Sequence, residues 1–325
     1  MTQHQISISE ARQQIRALSR ALQRLFVGRS EAIDIILLSA LASEPLLLLG
    51  APGTAKTAIV KAFAAHIGLA QGELFDYLIT RYTEPSEILG PVDLKALRGG
   101  RYLRRTQGKL PTAIMAFFDE IFSANSAILN TLLSILNERI FYQDGQPEPV
   151  ATEIFIAASN YIADDPELYA LRDRFLLKLE LEPVKHHLFD QLLRTGMIQD
   201  IDRRNRRPIA PLCSLDTFRT LREHIDADIY RYCEQDLDDP LFPAPIRRMF
   251  ERMLFALDGD GYAQISDRSA IKLYRIIRFH AFVFGSGEVQ SQDLFLFAYT
   301  PARQELISPL RQRVTALLQL EDPQR

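Results

Sequence analysis

The sequence contains no tryptophan and only two cysteines, Cys213 and Cys233. Two thiols that far apart match no metal-ligand spacing and cannot staple a fold. A disulfide-built scaffold is therefore excluded, and a reduced, cytoplasmic protein is expected. Long hydrophobic runs are missing as well. The most apolar stretch, residues 33–49, is interrupted by Asp34, Ser43, Glu44 and Pro45. A membrane span needs about 20 mostly apolar residues, so none is expected. Residues 1–10 are polar and carry no signal-peptide core. Nor is charge of one sign in excess: a formal net charge of −3 argues against a general polyanion binder, though not against a local basic patch.

What is present is the composition of a globular chain. With 47% hydrophobic and 24% charged residues, disordered and collagen-like classes fall away, and 325 residues suit about two domains. Apolar residues at Ile8, Ile15, Leu18, Leu22 and Leu25 repeat with a helical period, and Ser7 with Glu10 fits a capping box. A second helix is expected from Ser30 to Ala42. Residues 45–49, 74–79, 113–118, 154–158 and 176–181 read as buried strands, separated by helices near 55–67 and 127–136. Apolar strands alternating with helices predict an α/β fold with a parallel sheet covered on both faces. After residue 183 the strand signals stop, and segments 184–194, 214–226, 245–257, 268–283 and 302–319 look helical. The expected division is an α/β core over residues 1–195 and a smaller all-α domain over 196–325.

The chemistry concentrates in Gly50-Ala51-Pro52-Gly53-Thr54-Ala55-Lys56-Thr57, which follows a strand and opens a helix. That is the context of a phosphate-binding loop, whose backbone N–H groups face the phosphates. Lys56 can reach the β and γ phosphates, and the Thr57 hydroxyl can ligate Mg²⁺. Ala55 stands where the general pattern has glycine. A second apolar strand ends in Asp119-Glu120, where Asp119 can hold the Mg²⁺ water shell and Glu120 can activate water. A third ends in Ser159-Asn160, whose amide could bond both water and γ-phosphate. Taken singly, each has a bland alternative: a turn, a solvated strand end, an asparagine in a loop.

Together these residues resemble the AAA+ ATPases, and more closely the MoxR family in its RavA-like branch. The resemblance rests on Val27-Gly28-Arg29, the loop with its alanine, Thr83-Glu84-Pro85-Ser86-Glu87-Ile88-Leu89-Gly90-Pro91, Phe118-Asp119-Glu120-Ile121, Asn137-Glu138-Arg139 and Ala158-Ser159-Asn160. It implies that ATP binds between the core and the helical lid, that Val27 to Arg29 lie by the adenine and that Asn160 is the first sensor. Within Leu171-Arg172-Asp173-Arg174-Phe175, it implies that Arg174 completes a neighbouring subunit's site, with Arg172 a rival and a salt bridge to Asp173 or Glu167 the plain alternative. Arg268, at the start of a helix capped by Ser266, matches the second sensor, in its own subunit or a neighbour's.

The resemblance further implies a ring, expected to be a hexamer, that remodels or matures a protein complex with a von Willebrand factor A domain partner. Partner contacts made by the further C-terminal extension of RavA are not carried over to a chain ending at Arg325. Two excursions, residues 91–110 and 141–150, match insertions of the branch, with hairpin turns expected at Gly99-Gly100 and Asp144-Gly145. Arg98, Arg101, Arg104 and Arg105 make the first one basic, as a solvated face or a surface that grips an acidic segment. The alternative class is a nucleic-acid-directed AAA+ motor or loader. The run Arg203-Arg204-Asn205-Arg206-Arg207 would serve it, but no aromatic interleaving accompanies the run, and the acidic residues within 234–239 are expected to balance it. His186 and His187 are adjacent on an expected helix, so they diverge rather than converge on a metal. The aromatic residues between Phe279 and Tyr299 read as lid core.

Overall fold

The computed structural model describes residues 6–205, 208–235 and 238–321. Two helices open it, α1 (Ile8–Leu25) and α2 (Ser30–Ala42). Ser7 caps α1 by accepting the Glu10 N–H at 3.2 Å, and Ala11, Ile15, Leu18 and Leu22 form its buried stripe. A helix that is apolar nearly all round must be enclosed, and α2 is.

Then come β1 (Leu46–Leu49), α3 (Lys56–His66) and β2 (Leu74–Leu78), followed by two five-residue helices, α4 (Pro85–Leu89) and α5 (Leu94–Arg98). Next are β3 (Met115–Asp119), α6 (Ser126–Glu138), and the hairpin of β4 (Ile140–Gln143) with β5 (Gln146–Pro149). The α/β part closes with β6 (Ile154–Ser159), α7 (Tyr169–Arg174) and β7 (Leu177–Glu180).

Five of the strands form one parallel sheet in the order β2-β3-β6-β1-β7. Alternate residues of β1 feed opposite layers: Leu46 and Leu48 join the core under α1 to α3, Leu47 and Leu49 the core under α6 and α7. Because every strand runs the same way, the segments leaving β1, β3 and β6 emerge side by side. This places the three motif-bearing strand ends together.

The helical part comprises α8 (Phe189–Arg204), α9 (Leu215–Glu234), α10 (Ala244–Gly259), α11 (Asp267–Val283), a 3-10 segment (Ser291–Tyr299) and α12 (Ile307–Glu321). Four expectations change. First, α8 starts at Phe189, after a 3-10 turn at His186–Leu188, and runs unbroken through the 195/196 division. Second, α9 and α11 do not close over the glycine loop. They pack on α1 and α2, whose apolar faces need cover, and one continuous core joins them. Arg12 and Arg16 of α1 secure the contact by donating to the carbonyls of Val283 and Gly285 at the end of α11 (2.6–3.0 Å).

Third, the excursion at 91–110 is not a β-hairpin. Asp93 caps α5, Gly99 ends it, and a lone antiparallel bridge, Val92 to Arg104, closes the segment. Helix C-termini and hairpin turns both favour glycine, so Gly99-Gly100 could not separate the two. The second hairpin is as expected, with Asp144 and Gly145 both at positive φ (50° and 74°). Fourth, the described acids within 234–239 have partners outside the basic run: Glu234 accepts from the Tyr230 hydroxyl, Asp238 pairs with Arg247 and Asp239 with Arg278, while Arg204 pairs with Asp200. Asp236, Arg206 and Arg207 lie outside the described residues. Among the described residues, no helix is long and apolar enough to cross a membrane.

Candidate active site

The loop between β1 and α3 is shaped by close approach and by backbone sign. A Cβ on Gly50 would sit 2.7 Å from the Leu181 carbonyl oxygen, so only glycine lets the loop leave the sheet there. Gly53 and Ala55 both take positive φ, 86° and 71°. The position where the general pattern has glycine therefore does need a left-handed residue. Ala55 adopts it at a cost of about 1–2 kcal/mol. The Thr54 hydroxyl donates to the Ala51 carbonyl at 2.8 Å and fixes the turn.

A cavity of about 370 Å³ lies over this loop, lined by Pro52 to Ala58 together with Asp119, Glu120 and Asn160. The Lys56 ammonium is buried and donates to the Gly50 carbonyl, to the Ala51 carbonyl at 3.4 Å and to Asn160 Oδ1 at 3.2 Å. Asn160 in turn donates to Glu120 Oε1 at 2.7 Å. The Thr57 hydroxyl donates to Asp119 Oδ2 at 3.3 Å. Glu120 sits at φ 53°, ψ 46°, a left-handed conformation rare for a side chain of this size and typical of functional positions. Burial raises its carboxyl pKa above the usual range, the adjacent Asp119 adds to the rise, and Lys56 opposes it. Lysine, hydroxyl, two carboxylates and an amide thus converge on one small volume.

Beside it a second cavity, about 390 Å³, extends from the loop to α8. Val27 and Arg29 line it. Gly28 does not: its φ of 69° bends the chain, and a Cβ there would lie 3.2 Å from Leu188 Cδ1. The opposite wall is Pro183, Val184, Phe189, Leu192 and Gln199, none of which sequence reasoning selected. Pro183 and Val184 directly follow a strand beside the loop, which is the signal that could have found them. The mostly apolar lining suits a flat heterocycle. Arg29 stiffens this wall by donating to the Glu182 carbonyl at 2.5 Å, and burial lowers its pKa.

Arg174 and Arg268 stand apart from this cluster. Arg174 precedes β7, whose far end reaches the loop at Leu181, so seven extended residues, about 23 Å, separate it from its own loop. It meets Asp173 at 3.6 Å, and its buried Nε has no hydrogen-bond partner. Arg172 is tied within the chain by Asp164 at 3.5 Å and by the Tyr169 ring, 4.3 Å from its centroid. Arg268 lies exposed in the first turn of α11. One turn on, Lys272 pairs with Glu44 at 2.5 Å, ahead of β1. Arg268 is thus at the opposite end of the sheet from Gly50, about 20 Å away along β1.

Comparisons with known proteins bear on the family and the fold. Residues 13–221 match the family model described as the MoxR domain in the MoxR-vWA-beta-propeller ternary systems. An uncharacterised protein of Methanocaldococcus jannaschii is 33% identical over 274 residues, 84% of this chain and 67% of that protein. The chaperone MoxR1 of Mycobacterium tuberculosis is 28% identical over 175 residues, 52% of this chain and 45% of its own length. The chain therefore spans two thirds of the first relative and less than half of the second. The crystal structure of an inferred ATPase from Cytophaga hutchinsonii shares the fold, with a TM-score of 0.71 at 18% identity, over 96% of this chain and 95% of that one.

Proposed function

Because this chain belongs to the MoxR family of AAA+ ATPases, we propose that it hydrolyses ATP with Mg²⁺ and uses the turnover to remodel or mature a protein complex. The convergence of Lys56, Thr57, Asp119, Glu120 and Asn160 at neighbouring strand ends carries this reading. Thr57 and Asp119, already hydrogen-bonded to each other, fit a divalent ion, which when bound would offset charge on the β and γ phosphates. Lys56 is pre-aimed across the loop mouth, and phosphate oxygens would replace the carbonyls it now contacts. Glu120 accepts a proton from water, and Asn160 holds the carboxylate in place. The apolar cavity against α8 takes the adenine.

The working form in this proposal is a ring, taken as a hexamer, in which Arg174 serves the neighbouring subunit. Three observations support it. Arg174 cannot reach its own loop, Arg172 is engaged elsewhere, and α8 presents Leu193, Met197, Ile198 and Ile201 about half exposed or more. An apolar stripe of that size marks an interaction surface. Arg268 would likewise act across an interface.

The exposed Leu94, Leu97, Tyr102 and Tyr142, with Arg98 and Arg101 nearby, suit an acidic, partly apolar segment of a client. A von Willebrand factor A domain partner is part of the proposal, supported by the description of the matched family, as is placement in the RavA-like branch, supported by motif order.

Mixing two inactive variants tests it. Glu120→Gln removes the base, for a loss of about 10²–10⁴ in rate. Arg174→Ala removes the finger, for about 10³–10⁵. In a mixed head-to-tail ring about one interface in four pairs an intact Glu120 with an intact Arg174. Recovery to roughly that fraction of wild-type turnover is expected. No recovery, with subunit mixing verified, would sink the assignment of Arg174.

A further inference from the structure

Helix α8 walls the apolar cavity beside the glycine loop through Phe189, Leu192, Thr195, Gly196 and Gln199, positions that share one helical face. Gly196 is the odd member of this wall. It sits in the middle of the helix, where glycine is less favourable than any residue but proline. Such a glycine is explained by a left-handed backbone or by the close approach of another atom. Gly196 has neither: its φ is not positive, and a Cβ built on it meets nothing within 4 Å. Every other glycine of the chain takes positive φ, meets a neighbouring atom, or ends its helix as Gly259 does.

The space beside Gly196 is held open from within the fold. Gln199, one turn further on, donates its side-chain amide to the Leu25 carbonyl at the end of α1, which sets the spacing of the two helices. Val27, the loop residues Ala51 to Ala55, and Pro183 with Val184 complete the lining. A flat ring gains most dispersion energy at about 3.5–4.0 Å from the atoms it covers, and bare helix backbone permits that approach. A side chain at position 196 would occupy the same layer. No atom of the chain uses the gap, so the need for glycine lies with a ligand.

We propose that Gly196 is the specificity-determining residue of this cavity, and that the heterocycle of the bound nucleotide lies against the α8 backbone in the space a side chain would fill. This rests on the nucleotide reading above and adds to it the residue on which admission of the base turns.

The test uses the full chain carrying Glu120→Gln, so that bound ATP persists, as parent and with Gly196→Ala, Gly196→Leu or Lys56→Ala added. Each is titrated calorimetrically with ATP and with inorganic tripolyphosphate, both with Mg²⁺. None of the described α8 side chains is buried, so the substitutions at 196 should fold, and Gly196→Ala should melt about 1 °C above its parent through helix propensity. ATP affinity is expected to fall about threefold in Gly196→Ala and about tenfold or more in Gly196→Leu. Tripolyphosphate, which has the phosphates and no ring, is expected to bind these two and the parent alike. Gly196→Leu binding ATP within about twofold of its parent would overturn the proposal. So would equal losses for ATP and tripolyphosphate, which would place the damage in the loop rather than at the ring. Absence of ATP binding by the parent, or binding that Lys56→Ala leaves unchanged, would refute the nucleotide reading itself, and the role of Gly196 with it.

Discussion

Thr152 is 3% exposed at the base of the β4–β5 hairpin, and its hydroxyl lies 2.9 Å from two carbonyl oxygens, those of Leu110 and Ala113. One proton serves both acceptors, so the side chain ties the hairpin base to the base of the 91–110 excursion. Thr152→Val keeps the shape and removes the donor. Leaving a buried acceptor unsatisfied costs about 1–3 kcal/mol, and about 2 kcal/mol is expected here. For 325 residues the unfolding entropy is about 0.7 kcal/mol/K, so the melting temperature should fall by about 3 °C. Thr152→Ser retains the donor and loses one methyl group, about 0.8 kcal/mol or about 1 °C. Calorimetry suits a chain without tryptophan. If the valine variant melts at or above the serine variant, the hydroxyl is not what joins the two bases.

Gly90 has φ 97°, and a Cβ there would lie 2.0 Å from the Arg105 carbonyl oxygen. Gly90→Ala should cost about 3 kcal/mol or more, and an unchanged melting temperature would refute the packing. Ala55→Gly relieves about 1–2 kcal/mol of left-handed strain but loosens the unfolded chain by about 0.4–1 kcal/mol, so stability should rise by about 1 kcal/mol while ATP binding survives. Lost binding in a fluorescent-nucleotide titration would contradict this. The raised Glu120 pKa means that the folded chain holds this proton more tightly than the unfolded chain. Its contribution to stability is therefore lost as pH rises from 4.5 through the folded pKa. Glu120→Gln should melt above wild type at neutral pH and match it below pH 4.5, and the opposite order would refute the burial argument. For the same reason, ATP turnover in the wild type should fall on acidification at a higher pH than an ordinary carboxylate would give.

The strand ends were legible because each candidate residue follows an apolar run: Lys56 and Thr57 after Leu49, Asp119 and Glu120 after Phe118, Asn160 after Ala158. In a parallel sheet that position alone implies proximity, and the cavity bears it out. The span of α2 was legible too, expected and found from Ser30 to Ala42. The docking of α9 and α11 was not. An amphipathic helix declares that it needs a partner face without naming which, and α1 and α2 supplied it in place of the loop. The cavity wall formed by Phe189 and Leu192 was hidden for a related reason: the sequence places the end of a helical pattern poorly when a 3-10 turn precedes it.

The two excursions, more than thirty residues apart in the chain, are laced together. The Tyr102 N–H donates to Asp144 Oδ1 at 2.9 Å, the Asp144 N–H donates to the Tyr102 carbonyl at 3.0 Å, and the Arg104 N–H donates to Gln143 Oε1 at 2.6 Å. One leads into β3 and the other into β6, adjacent strands whose far ends carry Glu120 and Asn160. A tug on this laced knob is shared between two parallel struts that end on either side of a 2.7 Å hydrogen bond. The knob and the Glu120 carboxylate therefore lie at the two ends of the same strand pair, and an uneven pull on the first would reach the second as shear between β3 and β6.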